Sequence, residues 1–213
     1  MKKIKLTAYT DAASYNNGRK ISSLPEHSAS AGVVLYDDVV IIGKSVYNEN
    51  STISFGELYA IYMILKEVTN LAIESDKQVK LTLFSDSAYC VQSINDWMSG
   101  WIKRSKNGIW YSSSGDKVAY QDLMKAINEL VNHNDMVDVK IKHISGHIDM
   151  YNKKHVKKAL ERYYRFNREP VSLEELVVHT KYNDLCDRYA KTSLRIGMEG
   201  GKHCERNRDI FEK

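Results

Sequence analysis

The order of strand-like and helix-like segments constrains the fold of this 213-residue chain more than any other feature. Three strand-like segments come first, and two more follow that are separated by helical patterns. Consecutive strands favour an antiparallel meander, whereas strands that alternate with helices favour parallel addition to the same sheet. The order therefore predicts an α/β fold in which helices flank a mixed five-stranded sheet. The strand-like segments cover residues 3–10, 29–36, 39–46, 79–84 and 137–144, and the helical patterns cover 54–69, 88–97 and 120–131.

Composition limits the class of protein. Hydrophobic residues make up 43% and charged residues 27%, as expected for a folded domain and not for a disordered chain. Lysine plus arginine outnumber aspartate plus glutamate by 31 to 27, a mild excess that permits a nucleic-acid partner without requiring one. No apolar run approaches the roughly 20 residues of a membrane span. Three widely separated cysteines exclude a disulfide framework and a CxxC metal site. We therefore expect a monomeric, cytoplasmic domain that does not bind membranes.

Four acidic residues occupy positions at which ligand sites commonly form. They are Asp11 and Asp86, which follow predicted strands, Glu57, near the start of a predicted helix, and Asp187, in a later helical segment. Taken alone, each is more often a turn former, a helix cap or a surface charge than a ligand. Ligands of open α/β sheets gather at the carboxyl ends of strands, and a carboxylate-only site suits Mg²⁺ or Mn²⁺ better than zinc. Convergence of these residues would thus create a divalent-cation site.

Five short motifs occur in an order that is similar to a known enzyme family. They are Tyr9-Thr10-Asp11, Gly56-Glu57-Leu58-Tyr59-Ala60, Phe84-Ser85-Asp86-Ser87-Ala88-Tyr89, Ser145-Gly146-His147, and the run from Asn183 to Ala190. A basic segment with three tryptophans accompanies them at 97–110. Together they resemble type 1 ribonuclease H over about residues 3–195. Each motif is weak by itself, and the ordered set carries the resemblance.

The resemblance implies a fold, a reaction and a set of site residues. It implies a ribonuclease H-like fold and endonucleolytic cleavage of the RNA strand of an RNA/DNA hybrid, which leaves 5′-phosphate and 3′-hydroxyl ends. Two Mg²⁺ ions are the implied cofactors, with Mn²⁺ as an alternative, because two cations can activate water and stabilise the leaving oxygen. A non-catalytic hybrid-binding module and a related two-metal DNA nuclease remain the alternatives. The matched metal ligands are Asp11, Glu57, Asp86 and Asp187, and His147 matches a mobile-loop histidine that assists proton movement or product release.

The segment from Trp97 to Trp110 resembles the family's basic protrusion and is predicted to bind the hybrid. Its basic residues suit a phosphate-tracking surface, and its aromatic rings offer faces for stacking. We expect Trp97 to be the more buried of the first two tryptophans and Trp101 to lie partly at the DNA strand, although their spacing of four also fits helix packing. The predicted substrate contacts are Asn17, Trp97, Trp101, Lys103, Arg104 and Lys106. Asn17 matches a polar contact in the family's first loop, and it would also suit an ordinary turn.

A basic helical insertion at about 149–181 stands where the family usually has a short loop. Residues 156–166 fit one helix, Pro170 ends it, and Ser172 with Glu175 forms the pattern of a capping box that begins a second helix. The insertion is either a solvated amphipathic hairpin that covers the core or a basic lid over the substrate. The predicted division is a ribonuclease H domain at 1–196 and a C-terminal tail at 197–213.

The sequence also departs from the family at positions that commonly contact the minor groove. Ile53 and Ser54 stand where the family commonly has asparagines, and Ala88 stands where it commonly has a glutamine. These replacements predict fewer direct contacts to the minor groove of a hybrid. A basic lid would compensate for them.

Overall fold

The computed structural model describes residues 3–16 and 24–200. Five strands form one sheet, and helices pack on both of its faces. The strands are β1 (Ile4–Tyr15), β2 (His27–Tyr36), β3 (Val39–Asn48), β4 (Val79–Ser85) and β5 (Val137–His143). The helices are α1 (Ile53–Ser75), α2 (Ala88–Gln92), α3 (Met98–Lys103), α4 (Gln121–Asn132), α5 (Lys153–Asn167) and α6 (Leu173–Gly200), with a π-helical turn at Ser93–Trp97 between α2 and α3.

The strand order is β3-β2-β1-β4-β5, which confirms the mixed five-stranded sheet predicted from the sequence. Strands β1, β2 and β3 pair antiparallel, whereas β4 and β5 extend the sheet in parallel from β1. Strand β1 continues past its predicted end at Thr10, because β2 goes on pairing with it as far as Tyr15, which lies opposite His27. Asp11 consequently lies inside a strand and not directly after one.

The two faces of the sheet carry separate hydrophobic clusters, and β1 contributes to both because its side chains alternate. Leu6 and Ala8 belong to the cluster that includes Leu58 of α1. Tyr9 belongs to the opposite cluster, where its ring stacks on that of Tyr182 in α6 with centroids 5.2 Å apart. The central strand is therefore covered on both sides.

The predicted insertion forms α5 and the first part of α6. The side chain of Asn152 caps the start of α5 by accepting backbone N–H groups of its first turn. The predicted capping box is confirmed: the Ser172 N–H donates to Glu175 Oε2 at 2.8 Å, and the Glu175 N–H donates to Ser172 Oγ at 3.1 Å. Helix α6 then continues for 28 residues, through Asp187 to Gly200. The second helix of the insertion and the segment that carries Asp187 are therefore one helix.

Helix α6 also crosses the predicted domain boundary at residue 196, so that residues 197–200 of the predicted tail are helical. Residues 201–213 lie outside the described part of the chain. The division into a domain and a tail remains a prediction. Within 3–16 and 24–200, no helix is long and apolar enough to cross a membrane.

Candidate active site

Three of the predicted site residues come together at the edge of the sheet where β1 and β4 run side by side. Asp11, Glu57 and Asp86 each offer one carboxylate oxygen, and these atoms all lie within 4.8 Å of one another. Asp11 and Glu57 are only 5% and 8% exposed, and Asp86 is half-buried. We call these three side chains the carboxylate cluster.

Strand register explains why the two aspartates meet. Strands β1 and β4 are parallel neighbours, and Thr10 is paired with Ser85. The next residues, Asp11 and Asp86, therefore follow the paired segments at the same edge of the sheet. This is the edge at which ligand sites of parallel sheets commonly form.

Glu57 reaches the cluster from the start of α1, and Gly56 allows the helix to approach the sheet closely. A Cβ on Gly56 would lie 2.8 Å from Ser28 Oγ and 3.1 Å from Ala12 Cβ. The Ser30 hydroxyl also donates a hydrogen bond to the Gly56 carbonyl at 2.7 Å. A larger residue at position 56 would therefore push the start of α1 away from the sheet and withdraw Glu57.

Burial and mutual repulsion make the clustered carboxyl groups weak acids. The pKa of Asp11 is raised to about 8, first by burial and then by the charge of Asp86. Burial and the charges of both aspartates raise the pKa of Glu57 well above its ordinary value. Burial also raises the pKa of Asp86, and the Asn183 side chain and the His147 imidazole oppose this shift. The cluster therefore retains protons at neutral pH unless a bound positive charge replaces them.

Buried oxygens without partners indicate what could replace those protons. Asp11 Oδ1 accepts the backbone N–H of Ala12 at 2.7 Å. Asp11 Oδ2 and Glu57 Oε2 are buried and accept no hydrogen bond from the residues described. A buried carboxylate oxygen without a partner costs free energy, and hard divalent cations prefer oxygen ligands. The cluster therefore fits a divalent cation.

Asn183 is a site residue that the sequence analysis did not single out. It is 1% exposed on α6, and its Nδ2 donates a hydrogen bond to Asp86 Oδ2 at 3.2 Å. This bond favours the ionised form of Asp86 and lowers its pKa. The sequence carried one signal, because Asn183 precedes Asp187 by four positions and shares its helix face, but this spacing does not indicate a contact with Asp86.

Asp187 lies near the carboxylate cluster without being part of it. Its side chain is 14% exposed and forms an ion pair with Lys191 at 2.7 Å. Among the described residues, its oxygens do not join the group of carboxylate atoms that lie within 4.8 Å of one another. Its charge nevertheless raises the pKa of Asp11 and of Asp86. Its role as a fourth metal ligand remains a prediction.

The loop after β5 lies directly against Asp86. Gly146 is so close that a Cβ at this position would overlap Asp86 Oδ2. His147 follows with an exposed side chain and a φ of +51°, a backbone conformation that is uncommon for a residue with a Cβ. Its imidazole lowers the pKa of Asp86. The structure thus places the predicted histidine beside the cluster on an accessible loop.

A second histidine, which the sequence analysis did not consider, supports Asp86 from β5. His143 is fully buried, and its Nε2 donates to the Asp86 carbonyl at 3.1 Å. Burial, followed by the charge of Arg162, lowers the pKa of His143 to about 4, so its ring is neutral at pH 7. Asn167 of α5 binds both backbone groups of His143, accepting its N–H at 2.9 Å and donating to its carbonyl at 2.7 Å. The insertion is therefore attached to the residue that supports Asp86.

The first two tryptophans of the predicted substrate segment have the opposite exposure to the one expected. Trp97 is 40% exposed, whereas Trp101 is 7% exposed and belongs to the hydrophobic core. The expectation that Trp97 is the more buried was wrong, because the buried stripe runs through Val91, Ile94, Met98 and Trp101 at spacings of three and four residues. Trp97 lies beside this stripe, so it is the accessible ring of the pair.

The remaining predicted contacts are polar. Lys103, Arg104 and Lys106 are exposed around the end of α3. The Arg104 Nε donates to the Tyr111 carbonyl at 3.1 Å, which fixes the direction of that side chain. Asn17 lies outside the described residues. The roles of all these residues as hybrid contacts remain predictions.

Comparisons with known proteins agree with this geometry. The family model described as RNase H matches residues 3–161. Ribonuclease H of Prochlorococcus marinus (strain NATL2A) is 26% identical over 145 residues, which cover 68% of this chain and 78% of the relative. Ribonuclease H of Caldanaerobacter subterraneus subsp. tengcongensis is 26% identical over 201 residues, which cover 93% of each chain.

Solved structures show the same fold. The solution structure of the PFV RNase H domain superposes with a TM-score of 0.63 at 16% identity, covering 92% of this chain and 97% of that one. The family model ends inside α5, whereas a match over 93% of the chain also includes α5 and most of α6. The similarity to the Caldanaerobacter relative therefore extends across the insertion.

Proposed function

This chain belongs to the RNase H family, and we propose that it cleaves the RNA strand of RNA/DNA hybrids, leaving 5′-phosphate and 3′-hydroxyl ends. The observation that carries the proposal is the carboxylate cluster. Its three acidic side chains lie within 4.8 Å of one another, and two of its buried oxygens have no hydrogen-bond partner in the described part of the chain. A domain that only bound hybrids would gain nothing from burying these charges together.

Asp11, Glu57 and Asp86 would hold divalent cations, with Mg²⁺ as the proposed ion and Asp187 as an additional ligand at the edge of the site. Bound cations supply positive charge that lowers the pKa of an attacking water and stabilises the departing 3′-oxygen. The carboxylates must be deprotonated to serve as ligands. Because burial raises the pKa of Asp11 to about 8, ion binding must displace protons from this site at neutral pH.

Three neighbours keep Asp86 in one position, and one of them, Asn183, also favours its ionised form. Asn183 donates to the carboxylate, and His143 donates to the backbone carbonyl of the same residue. Gly146 packs against the carboxylate where any side chain would collide. A ligand that is held in this way loses little entropy when it binds an ion, which is the purpose of preorganisation.

His147 is the proposed proton carrier. It lies on an exposed loop next to Asp86, and it is outside the carboxylate cluster. An imidazole accepts and releases protons readily near neutral pH. It can therefore take a proton from the attacking water or give one to the leaving 3′-oxygen, the usual work of a general acid or base.

The exposed face of the 97–110 segment is the proposed DNA-strand contact. Trp97 offers an accessible ring, and Lys103, Arg104 and Lys106 offer positive charge for phosphates. Asn17 is a further proposed contact in the first loop. A monomeric state and a cytoplasmic location remain part of the proposal.

The proposal is tested with a uniformly labelled RNA/DNA hybrid, beside double-stranded RNA and double-stranded DNA, first with Mg²⁺ and then with a chelator. We expect cleavage of the RNA strand of the hybrid only, and no cleavage once the chelator is present. Equal cleavage of double-stranded DNA would instead identify a DNA nuclease. Binding of the hybrid without cleavage in any divalent cation would identify a non-catalytic module.

A further inference from the structure

A cavity of about 190 Å³ lies between the His147 loop and helix α5. Residues 145–148 form one wall, and one face of α5 forms the other. The cavity is smaller than the roughly 300–1,000 Å³ of pockets that enclose whole small molecules. It therefore suits a compact group and not an entire nucleotide.

The α5 wall of this cavity is basic. His155, Lys158 and Arg162 line it, and their spacings of three and four residues place them on one face of the helix. The cavity lining contains no carboxylate among the described residues. Arg162 is half-buried, and its guanidinium lies over the Phe166 ring at 5.7 Å from the centroid, which restrains it. The cavity therefore offers positive charge to an anion, and the guanidinium of Arg162 is the restrained part of it.

Helix α5 is packed in place and does not behave as a detached lid. Ala159 and Tyr163 are 3% and 4% exposed, and the Tyr163 ring stacks on His179 with centroids 5.8 Å apart. Asn167 binds both backbone groups of His143 at the end of β5. The helix thus covers the core with one face, as the first interpretation of the insertion predicted, and presents its basic face to the cavity. The second interpretation, a lid over the substrate, remains a prediction.

We propose that this cavity binds a phosphate group of the nucleic acid next to the cleavage position, with Lys158 and Arg162 as its ligands. The inference rests on the proposed function. Gly146 lines the cavity and also lies against Asp86, so the cavity and the carboxylate cluster share one wall. A guanidinium and an ammonium are the side-chain groups that bind phosphate most strongly. The phosphate is either internal to the uncut strand or the 5′-phosphate of a product.

The first arm of the test measures the affinity for uncut hybrid at several salt concentrations, with a chelator present to prevent cleavage. Each of Lys158→Gln and Arg162→Gln should reduce the slope of log Kd against log salt by about 0.7–0.9, the contribution of one lost phosphate contact. Lys154→Gln and Arg165→Gln are the matched controls, because these exposed residues lie on the same helix outside the cavity lining. The controls should retain the original slope.

The second arm measures inhibition of cleavage by a short product duplex with a 5′-phosphate and by the same duplex with a 5′-hydroxyl. If Lys158→Gln no longer distinguishes the 5′-phosphate duplex from the 5′-hydroxyl duplex, the cavity binds a terminal phosphate. If the cavity variants instead show a reduced slope of log Kd against log salt in the first arm, the cavity binds an internal phosphate. Arg162→Lys keeps the positive charge and should therefore bind the hybrid as the wild-type protein does. This recovery would show that Arg162→Gln acts through the lost charge and not by unfolding α5.

The inference is overturned if the cavity variants equal the matched controls in both arms. A wild-type protein that binds the hybrid but never cleaves it would instead refute the proposed function, and the first arm would still decide the cavity. The two failures are therefore distinguishable.

Discussion

Two charged regions meet at the loop of residues 145–148, and they are built in opposite ways. The carboxylate cluster on one side is buried and is supplied by the central sheet and α1. The basic side chains on the other side are exposed or half-buried and all come from α5. A buried charge contributes to the free energy of unfolding because its pKa depends on folding. An exposed charge contributes mainly to the affinity for a partner. Stability measurements therefore report on the carboxylate cluster, and binding measurements report on the basic side chains of α5.

The largest expected effect follows from removing one charge from the cluster. We expect Asp11→Asn to lower the cleavage rate by about 10³-fold or more, because a metal ligand is lost. The same change should raise the Tm of the metal-free protein at pH 8, because it removes a charge that burial disfavours. Hybrid cleavage and thermal melts measure these two effects. The exposed Asp138→Asn is the control, and cleavage that survives in Asp11→Asn would refute the metal assignment.

A smaller effect is expected at the loop that separates the two regions. His147→Ala should lower kcat by about 10²-fold, the lower end for loss of a general acid or base. The affinity for uncut hybrid should change little, because Lys158 and Arg162, and not His147, are the proposed phosphate ligands of the cavity that they line together. Single-turnover cleavage and equilibrium binding separate these quantities. His133→Ala, an exposed histidine after α4, is the control; an equal loss of kcat there would contradict the assignment.

A still smaller effect is expected when a residue that supports Asp86 is replaced. Asn183→Ala removes a hydrogen bond to a carboxylate, a bond of about 1.5–3 kcal/mol, so we expect roughly a tenfold or greater rise in the Mg²⁺ concentration needed for half-maximal cleavage. Asn134→Ala is the control, because it also removes side-chain hydrogen bonds, to Thr69 and from the Met136 N–H, before the start of β5 and away from Asp86. The control should leave the Mg²⁺ dependence unchanged. If both variants shift it equally, Asn183 acts through stability alone.

The smallest effect is a pH dependence of stability. Because the Asp11 pKa is raised from 3.8 to about 8, its protonated form stabilises the folded state, and this contribution is lost progressively as the pH rises from 3.8 through 8. The pKa values of His143 and His179 are lowered to about 4, so these two residues make the folded state more stable as the pH rises towards 6.5. Above pH 6.5 their contribution to stability is constant. We therefore expect the Tm of the metal-free protein to fall by a few degrees from pH 6.5 to 8.

Added Mg²⁺ should raise the Tm more at pH 8 than at pH 6.5, because fewer protons then compete for the carboxylates. Differential scanning fluorimetry at the two pH values measures this difference. Asp11→Asn should flatten both the pH dependence and the response to Mg²⁺. An equal response to Mg²⁺ at both pH values would contradict the raised carboxylate pKa.

Features with a local physical cause were predictable from the sequence. The Ser172 and Glu175 capping box depends only on residues three positions apart, and both of its hydrogen bonds are present. The end of β1 was not predictable in this way, because its last residues are held by pairing with β2, a contact distant in sequence. Trp97 and Trp101 were misjudged because a spacing of four residues does not reveal which of the two rings lies within the buried stripe and which lies beside it.

The same difference between local and distant contacts applies to the residues of the site. Asp11 and Asp86 follow paired strand segments, so their meeting could be predicted from the order of the strands. Asn183 and His143 support Asp86 through contacts between α6, β5 and the end of β4, and only the packed structure brings these elements together. Metal ligands are therefore easier to predict than the residues that hold them.

The hydrogen bonds from Asn167 to both backbone groups of His143 have a consequence for shortened versions of this protein. A miniature enzyme in which a short linker replaces the insertion would leave two polar groups of a buried strand end without partners. The same replacement would remove the capped first turns of α6, the helix that carries Asn183. Shortening the protein would thus lower the cleavage rate without touching a metal ligand, because it would disturb the His143 and Asn183 contacts that hold Asp86.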